Sequence, residues 1–350
     1  AWTAEPVALE LSTKTDRPGS NQGSREAEVG LALPLWLPGE RARKAALADA
    51  EAQALSSRQR AAQLQLAATV REAWWAAQRA QADQALAQDR LLNAQRLAAD
   101  VARRVRAGDL SRADQAQADG AVAQAEAAVA EAQGARDSAQ AALAAWGVQA
   151  APTLALADVA EPEPPVPDAT AAATQHPAAA DWQDQAEVAR RAAELAAVQT
   201  RANPELTLAA TRGREQAGDR YQQTFTVGLR IPLGGGDRAQ AKQATARADA
   251  IDAEARTAVE QRRLAADIVA ALARVKATQA QRDAFARHAA LAQGTRGFID
   301  KAFRLGEADG PTRLRVELEA AQAERQLARA RIDAAAAISH LRQALGLLPQ

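Results

Sequence analysis

Few residues in this chain have the type and spacing to do chemistry. Gly234-Gly235-Gly236-Asp237 sits between a strand-like and a helix-like stretch, where a phosphate loop would aim backbone N–H groups at an anion. No Gly-Lys-Ser/Thr follows, and the corresponding place earlier in the chain reads Pro38-Gly39-Glu40, so a flexible joint with Asp237 as N-cap is enough. His176, His288 and His340 fall in different elements, and with no Cys or Met there is no clustered soft-metal site, disulfide or nucleophilic thiol. Carboxylates are numerous but alternate with Arg along helical stretches, the pattern of solvated faces. No Ser, His and Asp arrangement or isolated carboxylate pair stands out. The sequence therefore predicts no enzyme, no cofactor and no resident metal.

One charged motif does recur. Arg106-Ala107-Gly108-Asp109-Leu110 is matched by Arg304-Leu305-Gly306-Glu307-Ala308 at an offset of 198 residues. In one reading each glycine only makes a tight turn and the charges are solvated. In the other, the glycine allows close backbone approach and the charges pair with a partner.

The elements around these motifs repeat at the same offset. Val29-Gly30-Leu31-Ala32-Leu33-Pro34-Leu35 lines up with Val227-Gly228-Leu229-Arg230-Ile231-Pro232-Leu233, again 198 residues apart. Trp146-Gly147 answers Leu345-Gly346 with one extra residue. Equal spacing between unrelated anchors makes the chain two copies of one long unit. The copies are joined by Glu161-Pro162-Glu163-Pro164-Pro165-Val166-Pro167, which is expected to be extended and stiff.

Each copy opens with alternating residues. Val29, Leu31, Leu33 and Leu35 alternate with Glu28, Gly30, Ala32 and Pro34, and Phe225, Val227, Leu229, Ile231 and Leu233 with Thr224, Thr226, Gly228, Arg230 and Pro232. Upstream partners at Val7 to Thr13 and Leu206 to Arg212, across polar loops, give one hairpin per copy. The second strands run about 9 to 11 residues, the length a tilted strand needs to cross a bilayer, with Val227, Leu229 and Ile231 toward lipid and Arg230 toward a lumen. A pair of hairpins on a soluble core is the alternative. Pro34 and Pro232 break the ladder late in the strand and mark its exit into a helix.

From about Glu40 to Arg106 there is neither proline nor glycine, and Leu66, Val70, Trp74, then Leu97, Val101 and Val105 keep helical spacing. That predicts a helix of about 100 Å. A matching run goes from Arg238 toward Leu305, weakened by Gly294 and Gly297, with Leu264, Ile268, Leu272 and Val275 on one face. Return helices follow the glycines, over Ser111 to Trp146 and Pro311 to Leu345, making two helical hairpins. The 48% apolar fraction is largely alanine, and aromatics are only 3%, which suits close-packed helices better than bulky cores. Lys plus Arg and Asp plus Glu balance at 43 each, so no net field attracts nucleic acid. No run approaches the roughly 20 apolar residues of a membrane helix, leaving barrel strands as the way across a bilayer.

Two copies of strand, strand, long helix and returning helix, with Val-Gly-Leu-x-Leu/Ile-Pro-Leu before the long helix and Arg-x-Gly-Asp/Glu at the hairpin tip, resemble the TolC family of outer-membrane efflux proteins. Asn203-Pro204-Glu205-Leu206, after a helix beginning near Asp181, is also similar to the family's approach to a first strand. Phe303-Arg304-Leu305-Gly306-Glu307 is closest in flavour to channel components of heavy-metal cation efflux systems. The resemblance implies a mainly α fold with a small β part. Residues 1–150 form the first repeat (β-hairpin 7–37, helical hairpin 40–147), 151–180 a linker, and 181–350 the second (equatorial helix 181–202, β-hairpin 205–233, helical hairpin 237–346). It implies a homotrimer whose four strands per protomer complete a twelve-stranded barrel in outer-membrane lipid, joined to a long α-helical barrel in the periplasm. A periplasmic adaptor and an inner-membrane pump would feed this passive duct with small molecules or metal cations. Six hairpin tips, with Arg106, Gly108, Asp109, Leu110, Arg304, Gly306 and Glu307, would meet the adaptor, and Asp109, Glu307 and Asp309 would favour cations at the entrance.

The start departs from the family. Only Ala1 to Pro6 precede Val7, where members carry a helical segment, so the chain is either truncated or lacks its first equatorial helix. A lipid-anchoring cysteine would be lost with that segment. The competing readings are a periplasmic helical-hairpin adaptor and a soluble alanine-rich coiled-coil scaffold. An adaptor's strands belong to globular β domains and its helical hairpin is usually single, and a scaffold accounts for the helices but not for duplicated amphipathic strand pairs.

Overall fold

The computed structural model describes residues 2–19, 22–148, 160–165, 168–305 and 307–349. Four strands, β1 (Ala8–Thr15), β2 (Arg25–Pro34), β3 (Glu205–Arg214) and β4 (Gln222–Arg230), make one antiparallel sheet in the order β1-β2-β3-β4. The helices are α1 (Glu40–Ala107), α2 (Arg112–Ala144), α3 (Ala169–Gln175), α4 (Pro177–Val198), α5 (Gly236–Leu305) and α6 (Gly310–Ala344). The chain is thus mainly α with a small β part. Two compact units draw on both halves of the sequence: residues 1–59 with 178–260, and residues 60–177 with 261–350.

The long helices follow from what the sequence leaves out. With no Gly or Pro to interrupt it, α1 runs for 68 residues, and α5 runs for 70 straight through Gly294 and Gly297. A glycine costs a helix roughly 1 kcal/mol against alanine, too little to stop one of this length. None of the described helices is long and apolar enough to cross a membrane.

In the first unit, α4 is tied to the start of α1 and of α5 by polar side chains. Arg43 pairs with Glu194 at 3.2 Å, and the Thr257 hydroxyl donates to the Trp182 carbonyl at 3.1 Å. The α4 helix occupies Pro177–Val198, so the segment expected from 181 to 202 starts and ends earlier. Pro177 has no N–H to lose at a first helical turn, and it confines the preceding His176 to extended backbone (ψ 139°).

The core of the second unit is built by small residues around a few large ones. Trp75 packs with Ile332, Ala335 and Ala336, and Val275 with Ala337 and Leu341. Alanine on α6 lets its neighbours approach closely, which is how a chain so poor in aromatics still excludes water. The segment between the halves is anchored here rather than merely stiff. Glu161 accepts from Arg71 at 3.1 Å and Arg342 at 3.2 Å, both guanidinium side chains are buried and Glu161 is partly so, and Arg342 also donates to the Pro162 carbonyl at 3.2 Å. The region expected to be linker over 151–180 contains α3, capped by Asp168, and the start of α4. Residues 151–159, Val166 and Pro167 lie outside the described residues.

Candidate functional site: a two-faced sheet and paired hairpin tips

Strand register sorts the sheet into two unlike faces. Leu9 pairs with Leu31, Leu11 with Val29, Leu33 with Leu206, Leu31 with Leu208, Leu208 with Val227 and Leu206 with Leu229. Cross-strand partners point the same way, so these residues form one continuous apolar face. It is solvent-exposed: Leu11 is 71% accessible, Phe225 80% and Val227 73%. The opposite face carries Glu26, Glu28, Thr211, Thr224, Thr226 and Arg230, with Gly30 and Gly228 between them. Arg230 ends β4 directly opposite Glu205 on this polar face.

The ends of the strands refine the expected pattern. Pro34 is the last residue of β2, as its missing N–H requires, and its carbonyl accepts from the Ala4 N–H at 3.1 Å. Leu35 still donates to the Pro204 carbonyl at 2.7 Å, although it lies beyond the strand. β4 stops at Arg230, so Ile231 and Leu233, expected to continue the alternation, fall in the irregular segment around Pro232. Ile231 is therefore not a strand residue. Below this joint, Glu40 is buried and accepts from the Leu37 N–H (3.0 Å), Gln199 (2.7 Å) and Asn203 (2.7 Å). Burial alone would raise its pKa, but these hydrogen bonds together with Lys44 hold it below the ordinary glutamate value. The buried charge locks the exit of β2 to the approach of β3.

At the helical end, the chain reverses at Gly108 with φ +90°, a conformation natural to glycine. The Gly108 N–H donates to Val105 (3.1 Å) and the Asp109 N–H to Arg104 (2.9 Å), the two bonds of a Schellman motif. Ser111 then caps α2 in a capping box with Asp114. In the second half the Glu307 N–H makes the equivalent bond to Ala302 at 2.9 Å, and Asp309 caps α6 by accepting from the Thr312 N–H. Gly306 lies outside the described residues. The bonds from Thr312 hold the Asp309 carboxyl below the usual aspartate range, and those from Ser111 do the same for Asp114. Asp309 thus has a capping duty that its place in the sequence, equivalent to Ser111, did not disclose.

The two tips are clamped together. The Arg104 guanidinium lies 4.0 Å from the centre of the Phe303 ring and that of Arg313 4.6 Å, while Arg313 pairs with Asp300 (3.0 Å) and Asp100 (3.4 Å). Phe303 is 3% exposed. Leu110 is half-buried and faces a small cavity with Leu97, Val101, Phe303, Pro311 and Leu314. Arg106, Asp109, Arg304 and Glu307 are exposed. Of the tip residues singled out in the sequence, those four are presented outward and Leu110 is turned between the hairpins.

Residues 7–147 match the family model of the outer membrane efflux proteins. The match lies within the first half of the chain. Solved structures extend the likeness across both halves. CusC aligns with a TM-score of 0.81 and 18% identity, over 98% of this chain and 83% of its own. MtrE of Neisseria gonorrhoeae, in its open state, aligns at 0.79 and 19%, over 98% and 80%. VceC of Vibrio cholerae aligns at 0.75 and 18%, over 99% and 87%. At such identities the likeness is one of fold. No curated protein sequence matches the chain.

Sequence reasoning missed the clamp at Phe303, because its members are some 200 residues apart and each alone reads as a solvated charge. It also missed Trp36, whose ring stacks with Lys44 at 5.3 Å and donates to the Trp2 carbonyl at 3.2 Å, and Tyr221 at the loop end of β4. Aromatics at both ends of an apolar band were the available signal.

Proposed function

We infer that the chain is the channel subunit of a tripartite efflux system, set in the outer membrane with a large periplasmic helical part. One observation carries this: a four-stranded sheet whose apolar face is left exposed and whose other face is polar. A sheet in water would bury that face, whereas a sheet in lipid needs it outward. Four strands leave two open edges, and three protomers remove them by closing a twelve-stranded barrel.

The two halves act as structural repeats, each supplying a strand pair and a helical hairpin. The outward residues Arg106, Asp109, Arg304 and Glu307 suit docking by a periplasmic adaptor, through which an inner-membrane pump loads the duct. Acidic Asp109 and Glu307 favour cations at the entrance, a bias that fits small cationic drugs or metal cations as cargo. Arg230, opposite Glu205, lines the lumen. The protein itself does no chemistry; it conducts.

Reconstitution tests the reading. Purified in detergent, the protein is expected to run as a trimer and to form conducting pores in planar bilayers. A monomer that stays soluble without detergent would favour an adaptor or a coiled-coil scaffold instead.

A further inference from the structure

The apolar face of the sheet ends abruptly on its loop side, the side from which no helix leaves. Along β2 the series Leu31, Val29, Ala27 is followed by Arg25, and along β3 Leu208 and Ala210 are followed by Arg212 and Arg214. Register sets Arg25 directly across from Arg214, and Arg212 across from Ala27, with Thr13 and Thr15 of β1 on the same side. Like charges facing each other across strands destabilise a sheet. Tyr221 orders this cluster: the guanidinium groups of Arg212 and Arg214 lie 4.9 Å and 5.4 Å from its ring centre. An open cavity of about 570 Å³ is lined by Thr13, Thr15, Arg17, Arg25, Arg212 and Tyr221, with Lys14 and Glu26 also reaching it.

We propose that this cavity binds the phosphate groups of an anionic lipid in the outer leaflet. The inference rests on the sheet being the membrane-crossing part of the channel. Guanidinium forks match phosphate oxygens two at a time, and threonine hydroxyls add donors. The border between an apolar band and polar loops is the depth at which headgroup phosphates lie, and an interfacial tyrosine marks the same level. Lipid is favoured over a soluble anion because the strip directly inward, Val29, Leu31 and Val227, is exposed and apolar and can carry the acyl chains of the same molecule.

The test is native mass spectrometry of the detergent-solubilised protein titrated with bisphosphorylated lipid A, with its dephosphorylated counterpart, and with inorganic phosphate as competitor. The wild type is expected to prefer the phosphorylated lipid by about 10-fold or more, and the Arg17→Gln/Arg25→Gln/Arg212→Gln variant to lose most of that preference. The Arg58→Gln/Arg247→Gln/Arg262→Gln variant, altered on exposed helix faces, controls for net charge and should change nothing. Equal binding of both lipids, or a preference surviving in the triple variant, overturns the proposal. Displacement by millimolar inorganic phosphate would make it a soluble-anion site and overturn the lipid assignment. The same preparations are inserted into planar bilayers. Pores without lipid preference sink this inference alone, whereas failure to insert sinks the channel reading beneath it.

Discussion

Two adjacent residue positions separate the apolar face of the sheet from its polar face within one peptide unit. Val227 lies near the middle of β4 on the apolar side, and Thr226 beside it on the polar side. Val227→Arg is expected to cost roughly 2 to 4 kcal/mol in the bilayer and to cut the yield of inserted trimer. Thr226→Arg should insert normally, and equal yields would contradict the register. Gly228 is a poor control, because a Cβ there would meet the Thr207 hydroxyl at 2.5 Å. Glu161 offers a second residue-scale test in the other unit. Removing it leaves Arg71 and Arg342 buried without their carboxylate, so Glu161→Ala should lower stability by about 3 to 5 kcal/mol, read as a lower melting temperature in detergent. At this scale the sequence was legible where period mattered. Alternation set Val227 and Leu229 on one face of β4 and Arg230 on the other, as the strand register does, but the partners of Glu161 are distant in the chain and leave no local trace.

At the scale of elements, absence of breakers drew the long helices, and glycine followed by a polar cap drew the turns. The bounds that slipped did so at prolines: β4 ends before Ile231 because Pro232 cannot donate, and α4 starts at Pro177 because proline suits a first turn. Gly108 makes the proposed adaptor contact testable separately from its turn. Asparagine tolerates positive φ, so Gly108→Asn should leave trimer and insertion intact yet lower efflux in cells if close approach by an adaptor matters. Unchanged efflux would leave Gly108 as a turn residue only. His176, between α3 and α4, and His340, on α6, give the second unit a pH dependence. Burial pushes the pKa of both below the ordinary value. The folded chain then resists a proton that the unfolded chain accepts below about pH 6.5, so stability falls as pH drops through that range. Replacing both with asparagine should flatten the loss in melting temperature between pH 7 and pH 5. The depressed carboxyls Glu40 and Glu161 act lower, with stability lost only as pH falls beneath the usual glutamate value.

For the whole molecule, the sheet limits how copies could meet in the proposed trimer. Strands alternate in direction across the order β1-β2-β3-β4, so β4 runs opposite to β1. An even number of strands per protomer therefore lets β4 of one copy pair antiparallel with β1 of the next, the only pairing found in bacterial outer-membrane barrels. Two copies would give eight strands and a lumen filled by side chains, and three give twelve, wide enough for a duct. The chain has no cysteine, so introduced pairs report without background. Cysteines placed in turn at Leu9, Leu11 or Thr13 of β1 and at Gln223, Phe225 or Val227 of β4 scan the unknown register on the apolar face. At the correct register, oxidation is expected to link three protomers into a closed ring that runs as a trimer on denaturing gels and returns to 36.8 kDa on reduction. Ladders that stop at dimer in every pair would show that β1 and β4 do not close a threefold ring, and the barrel would have to be abandoned.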